Sequence, residues 1–161
     1  FYKKEALHFE QILGSGKVEG LKNSLSSVPD NPVRFTNAKN IGPELEYLCN
    51  HDPKNQMGFE YLMSYLLLSN NVILFVDNLY RIKNFDYPSL PIAYEEALLI
   101  YKLRAGDEMF TQKGYSVSPE TEARFARYYQ LLEKQQIQTL EKEFGKTFWF
   151  YLNFINPYRK K

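Results

Sequence analysis

The stretch from Asp52 to Arg104 constrains the fold most tightly. Two dense apolar segments are separated by Ser69, Asn70 and Asn71, a Pro-rich break follows at Asp86 to Pro91, and a third amphipathic segment starts there. That order reads as a helical hairpin followed by the first helix of the next one. In Asn55 to Leu68, Phe59, Leu62, Met63 and Leu66 share one helical stripe, which Tyr61, Tyr65 and Leu67 widen. Its partner, Val72 to Lys83, opens on Val72 to Val76, a run that in isolation would read as a strand. Leu79, Tyr80 and Ile82 restore the helical stripe, and helix is the expectation. The helix from Pro91 carries Tyr94, Ala97, Leu98 and Tyr101. Glu95 and Glu96 stand near its start and Lys102 and Arg104 near its end, complementing the helix dipole.

On the N-terminal side, Tyr2, Ala6, Phe9 and Leu13 define a first helix, Gly14 to Gly16 a turn, and Val18, Leu21, Leu25 and Val28 a second helix. Pro29 to Asn40 is irregular and marks a boundary, after which a helix starts near Gly42 or Pro43 with Ile41, Leu45, Leu48 and Cys49 inward. On the C-terminal side, Ala105 to Val117 is a connection with a short turn at Glu108 to Thr111. Ser118 and Pro119 begin the longest helix, with Phe125, Tyr128, Tyr129, Leu132, Gln136, Leu140 and Phe144 along it and Gly145 closing it. The aromatic tail, Phe148 to Tyr158, is expected to dock Trp149, Phe150, Leu152, Phe154 and Ile155 as a cap, with a partner contact as the alternative. The expected organisation is a single helical domain: a hairpin at 1–28, a main array at 41–144 and a cap at 146–158.

With 161 residues, 44% apolar and 24% charged, the chain suits one globular core. Its 20 basic and 19 acidic side chains leave a formal charge of +1, with a basic cluster only at Arg159 to Lys161, so a nucleic-acid partner is not expected. Cys49 is the sole cysteine, which rules out an internal disulfide. No run of 18 apolar residues is present to span a membrane. The start at Phe1 leaves room for an upstream signal or other region.

Asp52 to Phe85 spans 34 residues, the length of a tetratricopeptide unit. With Gln56 as first position, Phe59, Leu62, Leu66 and Leu79 occupy the large apolar positions, and Pro53 ends the preceding unit. Met63, Phe75 and Ile82 stand where that pattern wants small residues, so the repeat is degenerate. HDPKNQMGFEYLMSYLLL, His51 to Leu68, joined to LPIAYEEALLIY, Leu90 to Tyr101, resembles poorly characterised Bacteroidetes envelope or membrane-associated proteins with tetratricopeptide-like soluble regions. The resemblance covers roughly residues 32–157. It implies a helical soluble region, an upstream membrane anchor or lipidation signal and a bacterial cell-envelope location, and carries no catalytic residues.

Reactive constellations are sparse. Cys49, His51 and Asp52 lack the further ligands zinc needs, and His8 is remote in sequence. Ser15 within Gly14 to Gly16 reads as a turn, not a phosphate loop. Adjacent Glu95 and Glu96 diverge around a helix and form no pair. Glu60, in an apolar segment, is the most interesting acid: buried, its pKa would rise unless Arg81 or Arg104 met it. Asn31, Asn37 and Asn40 with Arg34 and Phe35 outline one groove, and Tyr87, Tyr94 and Tyr101 another surface.

The expected fold is all-α, stacked antiparallel helical hairpins of a degenerate tetratricopeptide-like repeat, with Phe59, Leu62, Leu66, Leu79 and Leu98 in the core. The expected function is a non-enzymatic scaffold for a protein or peptide, with Glu60, Arg81, Tyr94 and Tyr101 as binding positions and no catalytic residue, metal or cofactor. The alternative is a helical enzyme acting on a small molecule or glycan through a buried carboxylate.

Overall fold

The computed structural model describes residues 41–157. The expected hairpin at 1–28, the irregular stretch to Asn40 and the groove of Asn31, Arg34, Phe35, Asn37 and Asn40 lie outside the described residues. Among those described, every element is helical and the class is all-α. None of these helices is long and apolar enough to cross a membrane.

Helix α1, Gly42–His51, begins with Pro43 in its first turn, where a missing N–H goes unnoticed. Leu45 and Cys49 turn inward, while Ile41 and Leu48 are only half-buried. A Cβ on Gly42 would meet the Tyr65 ring at 2.5 Å, so the missing side chain lets the start of α1 approach the next helix. That helix, α2 (Gln56–Leu68), is capped by Asn55, whose Oδ1 accepts from the Gly58 N–H at 2.8 Å. Phe59, Leu62, Met63, Leu66 and Leu67 are buried along it.

The connection after α2 is a Schellman turn. Asn70 takes φ 62°, the Asn71 N–H donates to the Leu66 carbonyl at 2.8 Å and the Asn70 N–H to the Leu67 carbonyl at 3.0 Å. Asparagine tolerates this left-handed conformation better than most residues. Helix α3, Val72–Asn78, follows and tightens into a 3-10 turn over Leu79–Asn84. The run Val72 to Val76 is therefore helical. Val72, Phe75, Val76 and Leu79 are buried at helical spacing, and Ile73 and Leu74 face outward.

Helix α4, Ile92–Ala105, has Pro91 at its N-cap and packs against α3. It ends at Gly106, whose φ of 88° suits a residue without Cβ, and α5, Asp107–Gln112, starts immediately. The expected four-residue turn at Glu108 to Thr111 is thus a six-residue helix, and none of its residues is buried. Helix α6, Pro119–Glu133, opens on Ser118, whose Oγ accepts from the Thr121 N–H at 3.3 Å.

The long helix expected through Phe144 is broken. A second Schellman turn places Gln135 at φ 54°, with the Gln136 N–H donating to the Leu131 carbonyl and the Gln135 N–H to the Leu132 carbonyl, both at 3.0 Å. Helix α7, Ile137–Phe144, then folds back on α6. The Arg127 Nη2 to Glu143 Oε1 distance is 3.3 Å, whereas a continuous helix would set the two residues roughly 24 Å apart. Packing across the fold supports the reversal: the Tyr128 and Phe144 rings meet edge-on at 5.6 Å.

The tail forms α8, a turn at Phe148–Phe150 that widens into a π-helical turn over Tyr151–Ile155. Phe148, Trp149, Phe150 and Leu152 are buried as a cap should be, but Phe154 and Ile155 are exposed, which corrects the expectation for those two. Two apolar clusters result, one among α1 to α4 joined by Phe148 and Leu152 of α8, and one around Tyr128, Leu131, Leu140, Phe144 and Trp149. Helix α4 contributes to both, giving Ala97, Leu98 and Tyr101 to the first and Leu99 to the second.

Gln135 is exposed and sits in a conformation that disfavours a Cβ by about 1–2 kcal/mol. Gln135→Gly is expected to raise stability by about 1 kcal/mol after the greater freedom of the unfolded chain is subtracted, measured as a higher urea midpoint. A lower midpoint would contradict the turn geometry.

Candidate functional site

The burial doublets of α2, Gly58 with Phe59, Leu62 with Met63 and Leu66 with Leu67, fix its inner face. Glu60 therefore points outward and is exposed, so the condition under which its pKa would rise is not met. Neither Arg81 nor Arg104 meets it. The Tyr87 hydroxyl donates to Glu60 Oε1 at 2.6 Å and Gln56 Nε2 donates to the same oxygen at 2.9 Å. These two bonds, Tyr87 first, hold the carboxyl below its usual range, so it is ionised at neutral pH. Oε2 has no protein partner, and Glu60 lines a hollow of about 250 Å³ together with Met57, Tyr61 and Ser64.

The other expected binding positions lie inside. Arg81 is buried, donating from Nη1 to the Cys49 carbonyl at 3.0 Å, from Nη2 to Asn50 Oδ1 at 2.6 Å and from Nε to Asn78 Oδ1 at 3.0 Å. A cation at the C-terminus of α1 complements the carbonyls and dipole there. Tyr94 is buried, edge-on to Phe75 at 5.1 Å, and burial pushes its hydroxyl well above the usual tyrosine range. Tyr101 is buried too, so of the surface expected from Tyr87, Tyr94 and Tyr101 only Tyr87 is accessible. Cys49 is buried and its thiol is pushed up by burial, as fits a packed, unreactive side chain. His51 stacks on Tyr47 at 3.7 Å, and its Nδ1 lies 2.9 Å from the Tyr47 carbonyl.

The buried acid is Glu96, which sequence spacing did not single out. It is 2% exposed, with Oε2 accepting from the Phe148 N–H at 2.7 Å and Oε1 lying 3.3 Å from Arg124 Nη2. Its own carbonyl accepts from the Trp149 indole Nε1–H at 2.9 Å. Burial raises its pKa, while the Phe148 N–H and Arg124 oppose the rise without cancelling it. The sequence signal was partial: Ile92, Leu99 and Leu103 share a helical line with Glu96, but of these only Leu99 is buried. Neighbouring Glu95 points elsewhere and accepts from Ser118 Oγ at 2.6 Å and from Thr121 Oγ1. Burial pushes Glu95 up, but these bonds at the α6 N-terminus outweigh it and leave the carboxyl below its usual range.

A cleft of about 400 Å³ opens where α4, the α2–α3 turn, α6 and α8 meet. Arg104 of α4 and Asn70 of the turn stand on one side, joined by a 2.8 Å bond from Arg104 Nη2 to Asn70 Oδ1. Phe125 and Tyr129 come from α6, and Leu152 and Asn153 from α8. Asn153 Nδ2 donates to the Tyr128 hydroxyl at 2.6 Å, and that hydroxyl donates to the Trp149 carbonyl at 3.1 Å, which fixes the cleft wall to the cap.

A family model matches residues 1–155. The chain belongs to the family of unknown function DUF6057. No curated protein and no solved structure matches it. For this DUF6057 chain, the residues themselves carry the functional reading. Among those described, no group of three or more His, Cys, Asp or Glu side chains is placed to hold a metal ion.

Glu96→Ala is expected to lose about 3 kcal/mol, because the Phe148 N–H is left buried without an acceptor, whereas Glu96→Gln keeps that acceptor and loses about 1 kcal/mol. The carboxyl binds its proton more tightly in the folded chain, so its ionisation lowers stability as pH rises above the ordinary glutamate value of 4.5. Glu95 acts in the opposite sense, losing stability as pH falls through and below that value. Urea unfolding from pH 4 to 7 checks both: Glu96→Gln should flatten the decline above pH 4.5, and an unchanged slope would count against a buried, ionisable Glu96.

Proposed function

We propose that this chain is a non-enzymatic helical scaffold that binds an extended or helical segment of another protein on the outward face of α2. The observation that carries the reading is the row Met57, Tyr61 and Leu68, exposed to 65%, 61% and 55%, beside the ionised Glu60. Large apolar side chains this open, next to a carboxylate whose position is fixed by Tyr87 and Gln56, suit a partner presenting a Lys or Arg flanked by apolar residues. The basic head would meet Glu60 Oε2 and its aliphatic stem would lie along Met57 and Tyr61.

A degenerate tetratricopeptide-like array is the architecture this reading adopts. Its support is the succession in which α1 packs on α2, α2 on α3 and α3 on α4, the last pair joined through the 3-10 turn and the Pro-rich segment before α4. The buried Met63 and Phe75, and the 3-10 turn after α3, make the repeat an irregular one. The resemblance to Bacteroidetes envelope proteins supports a place in a bacterial cell envelope, with an anchor upstream. The carboxylate-enzyme alternative draws no support from Glu60, which faces water, or from Glu96, whose oxygens are both engaged.

Selection of peptides from a random display library against the whole chain tests the reading. Enriched peptides should pair a basic residue with apolar neighbours and bind more weakly as salt rises. Glu60→Lys and Tyr61→Ser should each weaken them by about tenfold or more, while Glu133→Lys on α6 leaves them unchanged. Failure to enrich any peptide, or equal binding to the Glu60 and Tyr61 variants, would overturn the proposal.

A further inference from the structure

We propose that the cleft between α4, the α2–α3 turn, α6 and α8 binds a small organic anion, a molecule with one carboxylate or phosphate group on an apolar or aromatic body. The site shares no residue with the α2 face assigned above to a peptide.

Charge identifies the head group. Arg104 lines the cleft, and no acidic side chain pairs with it; the four ion pairs among the described residues use Lys102, Lys113, Arg124 and Arg127. No Asp or Glu lines the cleft. The guanidinium's one protein acceptor is Asn70 Oδ1. Because a guanidinium can only donate, the Asn70 atom facing it has to be the oxygen, and the Asn70 Nδ2 remains a donor without a protein acceptor. The Tyr129 hydroxyl is a further lining donor with no protein partner. Three donors, one of them a full positive charge, thus line a concave space that offers no carboxylate in return. An anion supplies what they lack.

Preorganisation strengthens the assignment. Asn70 is locked by the two backbone bonds of its Schellman turn and by its left-handed φ, so it holds the guanidinium at a fixed place. The rest of the wall combines apolar side chains, Ile100 and Leu103 on α4, Phe125 on α6 and Leu152 on α8, with Tyr128 and Asn153, whose polar ends bond to each other. A volume of about 400 Å³ lies in the range of small-molecule sites and would hold a body about the size of one aromatic ring plus its head group.

Trp149 gives the test its signal. It is the only tryptophan in the chain, and its ring lies 4.7 Å from Phe125 and 5.7 Å from Tyr128, both of which line the cleft. Titrating the whole chain with phenyl phosphate and with benzoate should give a saturable change in its fluorescence, with Kd of about 1 mM or tighter. Benzyl alcohol, which has the ring without the charge, should give none. Arg104→Gln should weaken binding about tenfold, Arg104→Lys less, and Tyr129→Phe about threefold, each checked for unchanged far-ultraviolet circular dichroism. A response to only one of the two anions supports the site and assigns its head group. No saturable change with either anion, an equal response to benzyl alcohol, or unaltered binding by Arg104→Gln would overturn the proposal.

Discussion

A carboxylate buried to 2% exposure is expensive unless donors replace its water, and Glu96 is the point on which this molecule converges. One oxygen takes the first free N–H of α8, the other approaches Arg124 of α6, and the Glu96 carbonyl takes the Trp149 indole N–H. Three donors from two helices, α6 and α8, are thereby tied to one residue of α4. The arrangement explains why a three-residue helical turn is stable at the end of the chain, where it would have little helical tendency of its own. Its N-terminus is satisfied twice over, by Thr147 Oγ1, which accepts from the Phe150 N–H at 3.2 Å, and by Glu96.

What the clamp holds in place is also what shapes the cleft. Leu152 and Asn153 follow directly from the Trp149 turn, and the Tyr151 hydroxyl donates to the Leu68 carbonyl at the end of α2 at 2.7 Å. Beside that carbonyl the Schellman turn at Asn70 begins, and Asn70 fixes Arg104. The stabilising contacts of the tail and the polar contacts of the cleft therefore form one connected structure. The Glu60 face of α2 is held by its own local partners, Gln56 within α2 and Tyr87 in the segment before α4.

Much of this was legible from the chain. Helical spacing located α1, α2, α4 and the start of α6, and the Leu79, Tyr80 and Ile82 continuation identified Val72 to Val76 as helical against its strand propensity. The turn at Ser69 to Asn71 announced itself through asparagine. The turn at Gln135 did not, because Lys134, Gln135 and Gln136 carry neither glycine nor proline; the reversal follows from Tyr128 finding Phe144 and Trp149, contacts that no local pattern encodes. The site residues were harder. Tyr94, Tyr101 and Arg81 were expected as binding positions, yet the tyrosines pack in the core and Arg81 finds two of its three acceptors on α1, more than 30 residues earlier. Glu96 depends on a backbone N–H 52 residues away, and Arg104 on a side chain 34 residues away. Polar chemistry at such separations is fixed by the packing of helices, and sequence spacing reports only on one helix at a time.

Hydrogen exchange at the single indole N–H of Trp149, followed by NMR beside the backbone amides of α4, addresses the clamp most directly. If Glu96 holds the closing turn to α4, the indole proton and the Phe148 amide should exchange only when the whole domain unfolds, at the same free energy as the Leu98 amide. Rapid exchange of the indole and Phe148 protons while Leu98 stays protected would show that the tail opens independently, and that Glu96 does not organise the fold.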